Sequence, residues 1–221
     1  MMLFSALLAL CSPAHALELK WWGVGANIGT VAIPGKYPIA LPSVAQGEVD
    51  KVKGDAEIGV RGVIYPSGSG RVFGLATLGF GTSGWGQQEF TVGWDQVIVK
   101  DEEFQLLFGA GIGAGHERFK DKGSDDYLNV NYFPIRAQLG ALLRDRVRAY
   151  QIDIYGLYHI VGGQEYCLST ADTACTSGKD GGGLVAGAVY AGLGAEATIY
   201  FGDFRSKGGG GKGGGGHKGK K

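Results

Sequence analysis

Apolar and polar residues alternate with a period of two in eight separate stretches of this chain, and no other feature restricts its fold as strongly. In one stretch Ala56, Ile58, Val60, Gly62 and Ile64 share one parity, while Asp55, Glu57, Gly59 and Arg61 share the other. Successive side chains of a strand point to opposite sides, so a stretch of this kind is a two-faced strand. The same alternation marks 22–28, 71–80, 89–98, 103–117, 135–144, 150–160 and 185–201. Helical bundles are disfavoured, because 42 of the 221 residues are glycine and each glycine inside a helix costs about 1 kcal/mol relative to alanine. Collagen is excluded, since the glycines keep no three-residue period with proline.

Many of the stretches reach the roughly 9–11 residues that a tilted strand needs to cross a bilayer. Short connections alternate with longer ones. Pro66 to Gly70, Lys100 to Glu102 and Asp145-Arg146 are brief, whereas 31–54, 81–88, 115–127 and 161–183 are extended. That rhythm predicts an all-β, eight-stranded antiparallel up-and-down transmembrane β-barrel with tight periplasmic turns and long outer loops. The inward parity then places Glu57, Arg61, Asp95, Glu103, Arg136, Asp153, His159 and Glu196 in the lumen, where opposite charges pair. An eight-stranded barrel is only wide enough for side chains to fill it, so glycines relieve crowding beside the large ones. Tyr37, Trp85, Tyr127, Tyr132, Tyr158 and Tyr166 lie near strand ends and are candidates for interfacial aromatics.

The termini differ from the body. Residues 1–16, MMLFSALLALCSPAHA, combine an apolar run with Ala14-His15-Ala16 and read as a signal peptide cleaved after Ala16, without the usual basic n-region. A buried apolar N-terminus and a lipoprotein modified at Cys11 are the alternatives. Residues 17–204 are the expected barrel domain. Residues 205–221, RSKGGGGKGGGGHKGKK, form a Gly/Lys-rich tail expected to be disordered. The equal totals of 21 basic and 21 acidic residues therefore combine an acidic body with a basic extension. The tail is a passive solubilising extension or a contact for an anionic envelope polymer or lipid head group. It lacks the interleaved aromatics of a nucleic-acid binder, and no nucleic-acid partner is expected.

Cys167 and Cys175 remain as an even pair in the mature chain, and their spacing suits a small disulfide-closed loop in an oxidising compartment, with two free thiols as the alternative. None of His116, His159 and His217 shows metal-ligand spacing with the cysteines. His116 with Glu117, and His159 with Asp153, are the only starting points for acid–base chemistry. Neither has a serine at a motif spacing, so catalytic, cofactor-binding and metal residues are expected to be none.

The alternation, the leader ending Ala14-His15-Ala16 and the final segment AEATIYFGDF resemble the small outer-membrane β-barrels, broadly the eight-stranded domain of outer membrane protein A-like proteins. Such barrels commonly end in an outward aromatic read by the assembly machinery; here the parity puts Phe201 outward and Phe204 on the other face. The resemblance covers about 19–204 and implies a location in the cell outer membrane, in contact with lipid. The expected role is structural, surface-interaction or narrow-pore, with extracellular ligands meeting the long loops. A lipid-modifying enzyme and a secreted soluble β-barrel or sandwich are the competing readings. In the soluble case the apolar parity faces a common core and the polar parity faces water.

Overall fold

A computed structural model describes residues 21–33, 52–66, 69–81, 85–101, 103–120, 127–145, 147–168, 175–177 and 189–204. The expected signal peptide (1–16), residues 34–51 with Tyr37, and the Gly/Lys-rich segment 205–221 lie outside the described residues. The strands are β1 (Trp21–Ile33), β2 (Val52–Tyr65), β3 (Gly70–Phe80), β4 (Gly86–Lys100), β5 (Phe104–Lys120), β6 (Tyr127–Arg144), β7 (Arg148–Cys167), the short β8 (Cys175–Ser177) and β9 (Val189–Asp203). Within the described residues each of the eight alternating stretches coincides with one long strand, apart from Glu103 just before β5.

Neighbours in sequence pair antiparallel from β1 through β7, and β7 pairs with β9 from Arg148↔Phe201 to Ile160↔Val189. β9 then pairs with β1 from Trp22↔Asp203 to Ala32↔Leu193, which closes the barrel. Closure pairs each of the eight long strands on both sides, which is how a sheet satisfies its backbone groups in hydrocarbon. Pro134 is a local exception. It cannot donate to a ladder, and the β5–β6 pairing is interrupted beside it, between Ile112↔Ile135 and Gly115↔Tyr132, with the register unchanged.

The short connections follow β2, β4 and β6 and lie at one end of the barrel, with Asp101 N donating to Phe104 O at 2.8 Å and Asp145 N to Arg148 O at 2.8 Å. The opposite end carries the longer connections, each bounded by strands that run further than expected. β4 already begins at Gly86, and β5 and β6 run on to Lys120 and from Tyr127. The strand alternation continues into these segments. The wall is therefore uneven: β3 has 11 residues and β7 has 20.

Burial decides between membrane and soluble readings. The apolar parity faces outward: Ile28, Ile112, Ile152, Ile154 and Leu193 are each at least 60% exposed. The charged parity faces inward, with Arg61, Asp95 and His159 fully buried. A soluble sandwich or barrel shows the reverse, so that alternative is corrected: this is the surface of a membrane-spanning barrel. On β6 the outward apolar run extends from Phe133 to Leu143. Those ten steps span about 33 Å along the strand, or about 25 Å along the axis at the usual tilt, matching the apolar band of such barrels.

Inside, two apolar layers bracket the charges. At the short-turn end Trp21, Tyr65, Phe73, Leu107, Tyr200 and Phe204 pack together; at the other end Ile33, Trp85, Phe119, Leu128, Val130 and Val161 do so. Trp85 and Tyr132 are thus corrected from interfacial to lumenal residues. Each has the inward parity of its own strand. Tyr158 does face outward, as do Trp22, Trp94, Tyr150 and Phe201. Glycines make the filling possible where large side chains cross the lumen. Gly194 sits opposite Tyr155, and Gly115 opposite Tyr132. A Cβ at either position would run into the tyrosine ring.

Candidate functional site

Two polar clusters fill the lumen between the apolar layers. The first, nearer the short turns, is an arginine–carboxylate network. Arg61 on β2 holds Asp153 on β7 at 2.7 Å, Glu196 on β9 at 2.8 Å and Asp95 on β4 at 3.3 Å. Arg71 on β3 pairs with Asp95 at 2.7 Å, and Arg136 on β6 with Glu196 at 2.7 Å. Glutamines extend the network: Gln138 Nε2 donates to Asp95 at 2.5 Å, Gln151 Nε2 donates to Asp153 at 2.6 Å, and Arg71 donates to Gln151 at 2.5 Å. The guanidiniums also lie over rings, Arg61 above Phe73 at 4.6 Å and Arg136 above Tyr155 at 3.7 Å. Residues from six strands meet across the lumen, so the network joins opposite walls.

The second cluster lies nearer the long connections and is acidic. Tyr155 donates to Glu57, and Tyr190 donates to Glu117 at 2.5 Å. Glu89 accepts from Thr91 at 2.9 Å, Tyr132 at 3.0 Å and Gln87 at 3.2 Å. His159 stacks on Tyr132 at 4.0 Å and meets Tyr190 edge-on at 4.7 Å. Its Nε2 faces Glu89 and its Nδ1 faces Glu117, each at 3.7 Å.

Seven of the eight sequence-assigned lumen residues are buried inside. Glu103 is the correction: it is exposed in the turn before β5, because its parity points inward but the strand has not yet begun. Arg71, Glu89 and Glu117 are buried in the lumen as well and are missing from that assignment, although each shares the polar parity of its segment. The two acid–base pairs do not assemble. His116 points outward and hydrogen-bonds Asn131 at 2.9 Å, whereas its neighbour Glu117 faces the lumen. Asp153 is engaged by Arg61 in the first cluster, while His159 stands in the second.

Beyond the apolar belt β7 continues to Cys167, which is bonded to Cys175. The sequence around Cys175 carries no strand periodicity, yet β8 pairs with β7 through Glu165↔Ser177, Tyr166↔Thr176 and Cys167↔Cys175. Three residues are too few for a period to show. Glu165 and the two cysteines approach one another, but the disulfide removes both thiolates as metal ligands.

The fold and its interior allow comparison with known proteins. Neisserial surface protein A superposes with a TM-score of 0.52 at 8% identity, covering 81% of this chain and 96% of that one. The outer membrane protein AlkL, determined by solid-state NMR in lipid bilayers, superposes with a TM-score of 0.51 at 9% identity, covering 86% and 93%. This chain has the fold of the small outer-membrane barrels. No family model matches the sequence, and no curated protein does. Identity this low carries the fold alone.

Proposed function

We propose that the chain is a closed outer-membrane barrel that acts as a surface-interaction protein, presenting its β5–β7 wall and the disulfide-braced β7–β8 hairpin to the exterior. The observation that carries this is the filled lumen: the paired arginine network lies between two apolar layers, with Arg61, Arg71, Asp95 and His159 fully buried. This packing supports the surface reading over the narrow-pore reading. The tall wall supports it too. Cys167 lies seven residues beyond Ile160, the last outward apolar residue of the β7 belt, or about 20 Å along the strand. Extracellular ligands would meet that wall and the long loops; the basic tail is left to an anionic envelope polymer or to no partner.

Planar-bilayer recording tests the closed lumen. The refolded chain is expected to add no unitary conductance steps under conditions in which a small pore of known conductance inserts and conducts. Stable steps would return the narrow-pore reading. A non-catalytic role belongs to the same proposal, supported by the separation of His116 from Glu117 and of His159 from Asp153. Release of labelled acyl chain from phospholipid or lipopolysaccharide would overturn it.

The hairpin has its own test. A disulfide closing a loop this short contributes about 2–3 kcal/mol of chain entropy, all of it local. Cys175→Ala paired with Cys167→Ala is therefore expected to make 168–174 the first site of limited proteolysis on intact cells. Heat-modifiable gel migration of the barrel should be unchanged, and loss of that migration would show that the hairpin also holds the barrel.

A further inference from the structure

The outer face of β1–β5 is recessed. Ala26, Val60, Ala76, Phe90 and Ala114 are successive ladder partners across these five strands, and all are on the exposed parity. Three of the five side chains stop at Cβ. Beside Ile58, Leu78 and Phe90 they form the floor of a groove of about 930 Å³. It crosses four strand spacings, about 19 Å, and lies in the belt that faces hydrocarbon.

The next row shows where that belt ends. Leu78, Gln88, His116 and Asn131 are partners in turn on β3–β6, so the outward side changes from apolar to polar at Gln88. Gln88 and His116 border the groove toward the long connections, and His116 pairs with Asn131 at 2.9 Å. Two residues beyond His116, the exposed Arg118 stands opposite Asn129. Its Nε donates to Asn129 at 3.3 Å, and its guanidinium lies over the Tyr127 ring at 4.4 Å. Both partners are neutral. Glu165 is the carboxylate on the same outward side, opposite Asn129 on β7 and two strands, about 10 Å, from Arg118.

A hydrocarbon-facing groove with an oriented guanidinium above it has the two-part chemistry of an amphiphile with an anionic head. The apolar wall of a second barrel would answer only the groove. The guanidinium fork matches the geometry of a phosphate. The amides of Gln88, Asn129 and Asn131 around it suit the hydroxyls of a sugar.

We propose that β1–β5 seat one phosphorylated glycolipid of the outer leaflet, with an acyl chain in the alanine-floored groove, a phosphate on Arg118, and Gln88 and Asn131 at the sugar. The proposal rests on the membrane-spanning barrel with its long connections outside, and it is independent of whether the lumen conducts.

The experiment incubates the full chain, refolded in detergent micelles, with lipid A and counts the lipid bound across a titration by native mass spectrometry. About one lipid A per barrel is expected. Arg118→Gln should weaken binding at least about fivefold, the ratio equivalent to about 1 kcal/mol for one basic residue at an anionic lipid surface. Ala76→Leu, which fills the groove floor, should weaken it as much. Arg148→Gln, exposed near the short turns, should leave it unchanged. Heat-modifiable migration confirms that each variant is folded; Ala114→Leu replaces Ala76→Leu should the latter fail to fold. Dephosphorylated lipid A and phosphatidylglycerol should each bind more weakly than lipid A. Equal binding of the dephosphorylated lipid, equal binding of phosphatidylglycerol, or parental affinity in Arg118→Gln or the groove-filled variant each overturns the proposal. A dimer that binds no lipid and dissociates in Ala76→Leu would also overturn it, giving the groove to a second copy of the chain. Conductance recorded on the same preparation separates failure of the lipid seat from failure of the closed-barrel reading.

Discussion

Arg61→Met is expected to destabilise the folded barrel by about 3–5 kcal/mol, the cost of removing one partner from a buried ion pair. Arg61 touches three carboxylates from three strands, Asp95, Asp153 and Glu196. The losses are unequal. Asp95 keeps Arg71 and Glu196 keeps Arg136, whereas Asp153 is left with the amide of Gln151. Asp153→Asn in the Arg61→Met background should therefore recover more stability than Glu196→Gln does, because it neutralises the charge left with least compensation. Urea unfolding in micelles or vesicles, followed by tryptophan fluorescence, gives the comparison. Equal recovery by the two second-site changes would mean that the network shares its charge more broadly than the pair distances indicate.

That network also shows where sequence reading stops. Parity along a single strand gives the inward or outward direction of a side chain, and it placed Arg61, Asp153 and Glu196 correctly. It gives no partners, because barrel closure brings Arg61 to residues 92 and 135 positions away. The misplaced aromatics had a different cause. Trp85 and Tyr132 were assigned by their nearness to loops, although Trp85 shares the parity of Gln87 and Glu89, and Tyr132 that of Arg136 and Gln138. Parity outweighs position near a loop because the ladder persists to the strand end. Glu103 shows the converse: the correct parity has no consequence one residue before the strand starts. The second cluster was the least legible part. Glu89, Glu117 and His159 come from β4, β5 and β7, so no spacing along the chain brings them together.

Ile154→Arg separates the membrane-spanning reading from any soluble one by a measurement on one residue. Ile154 is 60% exposed and stands near the middle of the outward run from Tyr150 to Ile160 on β7. In water, replacing an exposed isoleucine by arginine on a strand changes stability by about 0.5 kcal/mol or less. At the midplane of a bilayer the same replacement costs about 2–4 kcal/mol, because the guanidinium must be drawn into hydrocarbon. The cost should fall toward zero with depth, so Tyr150→Arg, near the short-turn end of the same belt, serves as the graded control. Both are measured by reversible urea unfolding from phospholipid vesicles. A penalty at Ile154 well above that at Tyr150 is the expected result; equal and small penalties would mean that the exposed apolar face does not meet lipid. The reason lies in the inversion of the chain's two parities. A soluble barrel hides its isoleucines and shows its arginines, whereas this one buries Arg61, Arg71 and Arg136 and exposes Ile28, Ile112, Ile152 and Ile154, an arrangement that is stable only when the surrounding solvent is hydrocarbon.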